Sequence, residues 1–332
     1  MTPPASQAVD AASTLDASVV IPAYRRPALL REAVRSALAQ DLEHDRFEII
    51  VVDSSPDEEN ARVVESLRPE AAGVPLILAR KPPEGPGPSR ILGAGRARGR
   101  VVAFLDSDCR ATPGWLRLGL AAFAEGIGIV QGRTLPRPDQ ALRVLSRYVR
   151  IEAENPRYEA ANMFYRRECL AAAGEPSRDW TPRSERPTGG EDALMAWRVK
   201  RSGWRSAFAP EALVYHEVIP ISVWQWLYEK RMLMLPWLAR EVPEIRSVLF
   251  LRYFLDPPQA CLTLLLAGLA LSPASTLWLA CAIPYLLVRT LEPTRALPGI
   301  RRIVRVVAYL PRDLITFGLL LAGSVRHRTL LL

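Results

Sequence analysis

The chain has 332 residues, 49% of them hydrophobic, enough for one large α/β domain with an appendage or for two ordinary domains, each with a sizeable core. Its formal charge of +8 comes almost wholly from arginine and suits nucleic acid, an anionic membrane surface or a phosphorylated ligand alike. The four cysteines, Cys109, Cys169, Cys261 and Cys281, form no CxxC pair and no zinc spacing, which excludes a disulfide framework and implies free thiols in a reducing compartment.

The N-terminal stretch lacks a basic start followed by an apolar run, so residues 1–16 read as a disordered leader and not as a signal peptide, and the chain is expected to stay inside the cell. Apolar runs then recur: SVVIP (18–22), FEIIVVD (47–53), VPLILA (74–79) and VVAFLD (101–106). Near-continuous apolar strands of this kind suit a parallel sheet covered on both faces. Between the first two, Leu30, Ala33, Val34, Ala37 and Leu38 fall on one helical face, behind a Pro27 that a first turn tolerates. Strands alternating with helices predict an α/β sheet with right-handed crossovers, whose ligands collect at the carboxyl ends of the strands. Asp53, Asp106 and Asp108 stand at such ends.

Further along, GEPSRDWTPRSERPTGG (174–190) reads as a mobile loop, and EDALMAWRVKRSG (191–203) as a short helix. That helix carries Glu191 and Asp192 at the positive end of its dipole and Gly203 as its stop. Trp197 and Trp204 are assigned to packing, while Trp180 offers a face for stacking on a ligand. Beyond about residue 245 the composition turns apolar, in runs at 260–271, 276–288 and 313–324. Each is shorter than the roughly 20 residues of a spanning helix, so tilted short spans, a re-entrant hairpin, interfacial helices and buried soluble helices all stay open. Arginines flanking the runs favour the anionic cytoplasmic leaflet and hence membrane association. Three regions follow: the leader 1–16, an α/β domain 17–244, and a hydrophobic helical, membrane-associated region 245–332.

In an extended chain, residues i and i+2 point the same way, so Asp106 and Asp108, separated by Ser107, can present their carboxylates to one point. A hard divalent cation, Mg²⁺ or Mn²⁺, would remove their repulsion, commonly sharing phosphate oxygens of a substrate. An isolated DxD is equally well a solvated turn. The glycines of GPSRILGAGRARG (87–99) precede a strand instead of following one, so they fail as a dinucleotide loop and read as small residues for close helix packing.

Taken in order, SVVIPAYRRPALLREAVRSALAQ, IIVVDSSPD, SRILGAGRARGRVVAFLDSD, NMFYRRECLAAAG and GGEDALMAWRVKRSGW resemble the family 2 glycosyltransferases over about residues 17–217. The resemblance implies a GT-A fold: a mixed, mainly parallel sheet flanked by helices, here followed by the C-terminal helical region. It also implies that Pro22, Ala23 and Tyr24 line a nucleotide pocket, that Asp53 hydrogen-bonds the base, and that Ser107 contacts the donor. Arg90 is placed near the diphosphate, Asp106 near ribose or metal, and Asp108 and His216 on the metal. His216 is otherwise an ordinary half-buried histidine. Ile91 and Leu194 depart from the pattern, where many members carry Asn and a second Asp.

The implied reaction moves a sugar, with inversion, from a nucleotide diphosphate donor to a hydroxyl acceptor. Asp192 is the expected general base, with Glu191 orienting it or binding acceptor. The apolar tail suggests a lipid-linked or membrane-proximal acceptor and a location on the cytoplasmic face of the cell membrane. A sugar nucleotidyltransferase would carry a glycine-rich loop where this chain has PAYRRPALL, and a non-catalytic binding protein would not need Asp106, Asp108, Asp192 and His216 together. A nucleic-acid partner is excluded because the arginines lack an aromatic-interleaved motif. A processive synthase would carry QxxRW, where Gln225 is followed by Tyr228-Glu229.

Overall fold

A computed structural model describes residues 15–143, 145–172, 190–291 and 302–332. Two compact units emerge: residues 1–140 with 148–218, and residues 141–147 with 219–332. The second unit thus takes in residues 141–147 and 219–332, reaching well upstream of the composition shift near 245, because helices of mixed composition precede the apolar ones. At the other end, Leu15 and Asp16 belong to the fold and not to a leader. Leu15 is buried, and Asp16 is buried between the guanidinium groups of Arg46 and Arg100.

The first unit runs β1 (Ala17–Ala23), α1 (Pro27–Leu38), β2 (Phe47–Asp53), α2 (Glu59–Leu67), β3 (Leu76–Arg80), α3 (Pro86–Arg96), β4 (Val101–Leu105), β5 (Cys109–Ala111), α4 (Trp115–Ala121) and β6 (Ile127–Pro136). After β7 (Ser146–Arg147), which lies in the second unit, come β8 (Asn162–Arg166), α5 (Arg167–Ala172), α6 (Glu191–Arg201) and β9 (Arg205–His216). Eight strands form one sheet in the order β3-β2-β1-β4-β8-β6-β9-β5. β3, β2, β1 and β4 are mutually parallel, in register from Ala17 opposite Phe47 to Ala23 opposite Asp53. β8 enters antiparallel between β4 and β6, and the short β5 pairs antiparallel with the end of β9.

This is a mixed, mostly parallel α/β sheet. The chain steps outward from β1 to β3 and then returns to the other side of β1 as β4, so the strand order reverses between β1 and β4. Such a reversal opens a crevice at the carboxyl ends of the two strands.

β1 and β2 are buried along their whole length, as sheet covered on both faces requires. The apolar face of α1 buries the five residues that its spacing selects. α3 lies close on β1 because Gly93 has no side chain: a Cβ there would stand 2.3 Å from Val20 Cγ1. Small residues for close packing are therefore what this segment needs. Trp115, Phe164 and Phe104 fill the layers under and over the sheet.

In the second unit, β7 pairs with β10 (Ile219–Pro220), and the helices α7 (Val223–Leu227), α8 (Leu235–Glu241), α9 (Pro257–Leu271), α10 (Ala282–Leu291) and α11 (Arg302–His327) follow. The third apolar run is part of a helix longer than the run itself. Residues Val306–His327, with mean hydropathy 1.4, are long and apolar enough to cross a membrane, the sole such helix among the described residues. All four cysteines are free.

Candidate active site

Five residues lead out of β1 toward the crevice. Pro22 and Ala23 are buried at the strand end, Tyr24 is 48% exposed, and Arg25 and Arg26 follow with φ of 57° each. Two successive non-glycine residues in the left-handed region are strained, and the strain turns the chain sharply into α1. Arg25 N–H donates to Ser55 Oγ at 2.7 Å, which holds the turn against the end of β2. Arg26 places Nη1 3.3 Å from Asp108 Oδ2.

Asp53 is fully buried at the tip of β2. Its Oδ1 accepts from Ser55 N–H and from Asn60 Nδ2, each at 3.0 Å. Its Oδ2 has no hydrogen-bond partner among the described residues, although Arg80 Nε lies 3.7 Å away. A buried carboxylate oxygen without a donor calls for one, and a nucleobase N–H is of the right kind. Asn60, which fixes this carboxylate, is absent from the sequence expectations. Its signal is a polar side chain on the sheet-facing side of the first turn of α2, seven positions after Asp53.

Asp106, Ser107 and Asp108 form the turn between β4 and β5. Asp106 and Asp108 face different partners. Asp106 Oδ1 accepts from Arg90 Nη2 at 2.6 Å, and the other arm of that guanidinium, Nη1, donates to Glu191 Oε1 at 3.0 Å. Arg90 is 6% exposed. Burial by itself lowers its pKa, and the charges of Asp106, Glu191 and Asp192 reverse that and raise it, so the cation is firmly held. The arginine that the resemblance places beside a diphosphate is thus a strut between the end of β4 and the start of α6. Gly87 makes room for it: a Cβ there would lie 2.7 Å from Glu191 Cγ.

Asp108 faces His216 instead. His216, 6% exposed at the end of β9, lies opposite Cys109 across the β5–β9 pair. Its Nδ1 is 2.6 Å from the Glu217 carbonyl oxygen, which can only accept, so Nδ1 carries a proton, and Nε2 stands 3.6 Å from Asp108 Oδ1. That separation is long for a hydrogen bond and short enough for both atoms to bind one cation. Burial pushes the Asp108 carboxyl up from its ordinary value, with Asp106 adding to the shift and His216 and Arg26 opposing it.

Asp108, Cys109 and His216 bring donor atoms within 4.8 Å of one another. Asp106, expected to share the metal, is not in this group and is bound to Arg90 instead. Cys109 was not foreseen. Burial pushes its thiol well above the ordinary value, so it stays protonated and is a poor ligand for a hard cation. Asp108 and His216 are the groups whose chemistry fits Mn²⁺ or Mg²⁺.

α6 opens behind Gly190, at φ 103°, with Glu191 and Asp192 in its first turn. Asp192 accepts from Ala193 N–H at 2.9 Å and from Ala160 N–H at 3.2 Å. Burial, with the neighbouring Glu191 charge second, pushes its carboxyl up to about 7 against the pull of Arg90. Glu191 is 8% exposed and tied to Arg90, which makes it an anchor for α6. Trp197 donates Nε1–H to the Pro156 carbonyl and packs on Tyr158, and Trp204 packs against Gly128, so both are packing residues as expected. Trp180 and the loop that precedes α6 lie outside the described residues, apart from Gly190.

A mixed, mostly parallel sheet flanked by helices, with its strand order reversing between β1 and β4, is the GT-A class of nucleotide-sugar fold. The glycosyl transferase family 2 model matches residues 18–171, and this stretch of the chain belongs to that family. A β-1,3-glucosyltransferase of Campylobacter jejuni that acts on GalNAc(5)-diNAcBac-PP-undecaprenol is 30% identical over 118 residues, 36% of this chain and 38% of that protein. The undecaprenyl-phosphate 4-deoxy-4-formamido-L-arabinose transferase of Pseudomonas aeruginosa is 33% identical over 129 residues, 38% of each chain. Each match thus spans well under half of the relative. Among solved structures, the Pyrobaculum calidifontis mannosyltransferase bound to GDP-Man and Mn²⁺ superposes with a TM-score of 0.56 at 19% identity, over 97% of this chain and 89% of that one.

Proposed function

We propose that the chain is an inverting, metal-dependent glycosyltransferase that moves a sugar from a nucleotide diphosphate to a hydroxyl on a lipid-linked, membrane-proximal acceptor at the cytoplasmic face. The observation that carries this reading is the convergence of Asp53 Oδ2, the Asp108–His216 pair and Asp192 on the carboxyl ends of β1, β2 and β4 and the head of α6. The lipid-linked substrates named for the two curated relatives and the apolar helices of the second unit support the acceptor class.

Asp53, with Pro22, Ala23 and Tyr24, holds the base of the donor, and Ser107 lies beside its ribose and phosphates. Asp108 and His216 would hold Mn²⁺ or Mg²⁺, which when bound supplies positive charge against the departing diphosphate. Arg90 is neutralised by Asp106 and Glu191, so Arg25 and Arg26 at the head of α1 supply the accessible protein charge there. Asp192 is the general base. Its raised pKa makes its carboxylate basic enough to accept a hydroxyl proton near neutrality, and the Arg90 strut fixes it relative to β4.

Thermal unfolding of the full chain tests the donor half directly. UDP or GDP with Mn²⁺ is expected to stabilise the protein by about 2.7 kcal/mol at a hundredfold excess over Kd. Asp53→Asn, which keeps the Oδ1 acceptor for Ser55 and Asn60 and turns the free Oδ2 into a donor, should remove most of that gain without changing the stability of the free protein by a comparable amount. No shift with any nucleoside diphosphate, with or without metal, would sink the proposal.

A further inference from the structure

The second unit carries a surface that the transfer chemistry does not use. Between Asp256 and Arg289 there are 32 consecutive residues, Pro257 to Val288, without a charged side chain. They fold as a hairpin of α9 and α10 joined through a turn and a short 3₁₀ segment, Thr276–Cys281. α9 and the 3₁₀ segment touch closely: a Cβ on Gly268 would meet the Trp278 carbonyl oxygen at 2.5 Å.

Burial is confined to one end. Pro258, Gln259, Ala260 and Leu262 are buried on α9, and Tyr285 and Arg289 on α10. Towards the tip, Leu264 is 51% exposed, Leu277 83% and Ile283 53%. At the base a polar clasp fastens both legs to α11. Asp313 accepts from Tyr285 Oη at 2.7 Å and Arg289 Nε at 2.8 Å, and its backbone carbonyl accepts from Gln259 Nε2 at 3.2 Å.

We propose that the α9–α10 hairpin inserts into a single leaflet of an anionic lipid bilayer, with the Asp313 clasp at headgroup level and Leu277 and Trp278 at its deepest point. The inference rests on the membrane-proximal part of the proposed function and not on its chemistry. Length decides between one leaflet and a span. From Leu262, the last buried leucine of α9, to Leu271 is nine residues, about 14 Å of helix, against about 15 Å for half of a hydrocarbon core.

α11 is not the inserting element, although it is long enough. Its second half is packed against the segment 230–241 of the same unit: Gly323 abuts the Leu233 carbonyl oxygen, and Arg240 donates to the His327 carbonyl. The charge of the region matches the partner. Residues 219–332 contain thirteen Lys or Arg against six Asp or Glu, and none of these nineteen lies within the bare hairpin.

The test uses the full chain and vesicles of phosphatidylcholine with phosphatidylglycerol, without donor or acceptor. Failure here leaves the glycosyltransferase reading standing, and success does not depend on it. The protein is expected to float with the vesicles, and Leu277→Asp to weaken partitioning by about a hundredfold. The nucleotide-induced thermal shift of that variant should be unchanged, because Leu277 is a bare tip residue. Quenching by brominated lipids, taken as the difference between the wild type and Trp278→Phe, should be strongest for bromines near the bilayer midplane. Strongest quenching by shallow bromines, wild-type flotation of Leu277→Asp, or a concentration-dependent dimer in vesicle-free solution that Leu277→Asp dissolves would overturn it.

Discussion

Asparagine in place of Asp192 is expected to lower the rate of sugar transfer by about 10²- to 10⁴-fold, leave donor affinity within about twofold, and stabilise the protein at pH 8. Asparagine keeps the size but only one of the two acceptor oxygens, Oδ1 for Ala193 N–H and Oδ2 for Ala160 N–H, so one of these hydrogen bonds is lost, at about 1 kcal/mol, and it cannot take a proton. The stability gain follows from the raised pKa. An acid whose folded pKa is about 7, against 3.8 when unfolded, holds its proton longer in the native state, so it weakens the fold progressively from about pH 4 to pH 7 and fully above that. The variant escapes that penalty, which is on the order of a few kcal/mol. The same titration sets the wild-type rate: transfer should climb with pH through about 7 as the carboxylate forms, and this limb should vanish from any residual activity of the variant. Wild-type turnover in Asp192→Asn would remove Asp192 from the role of base.

The second large effect concerns the Asp108–His216 pair. Asp108→Asn and His216→Ala should each reduce transfer by about 10²-fold or more, since charge stabilisation of the leaving diphosphate depends on that corner. Their diagnostic signature lies in binding. In the wild type, Mn²⁺ should enlarge the thermal shift produced by a nucleoside diphosphate, whereas in both variants the shift should be the same with and without metal. Because burial and the Asp106 charge already disfavour ionised Asp108, Asp108→Asn should cost the free protein little stability. A variant that lost its stability but kept the metal response would show that the pair is structural.

The part of this site that could be read in the chain is the part made of short-range pattern. The strands β1 to β4 are apolar runs, the α1 face is a spacing, and Asp106 and Asp108 are two positions apart. What could not be read is long-range pairing. Arg90 meets Glu191 across 101 positions, and nothing local to either residue distinguishes a strut from a phosphate ligand. Likewise, i and i+2 carboxylates share a face only while the strand stays extended, and here the chain turns between β4 and β5, sending Asp106 to Arg90 and Asp108 to His216. Asp16 escaped notice because a lone acid near a polar N-terminus has no signature; its two arginine partners arrive from distant segments. The edge of the second unit was hidden because short helices such as α8 have ordinary composition.

The paired left-handed residues at the head of α1 set two kinds of selection against each other. Glycine at Arg25 or Arg26 would relieve backbone strain of about 1 kcal/mol or more per residue, so a library sorted for heat resistance alone would drift toward it. The same exchange deletes a cation from the mouth of the crevice, and sorting for turnover would reverse the drift. Arginine at these positions therefore makes sense only under the second pressure, and a directed-evolution record of the two regimes would expose the conflict at this one turn.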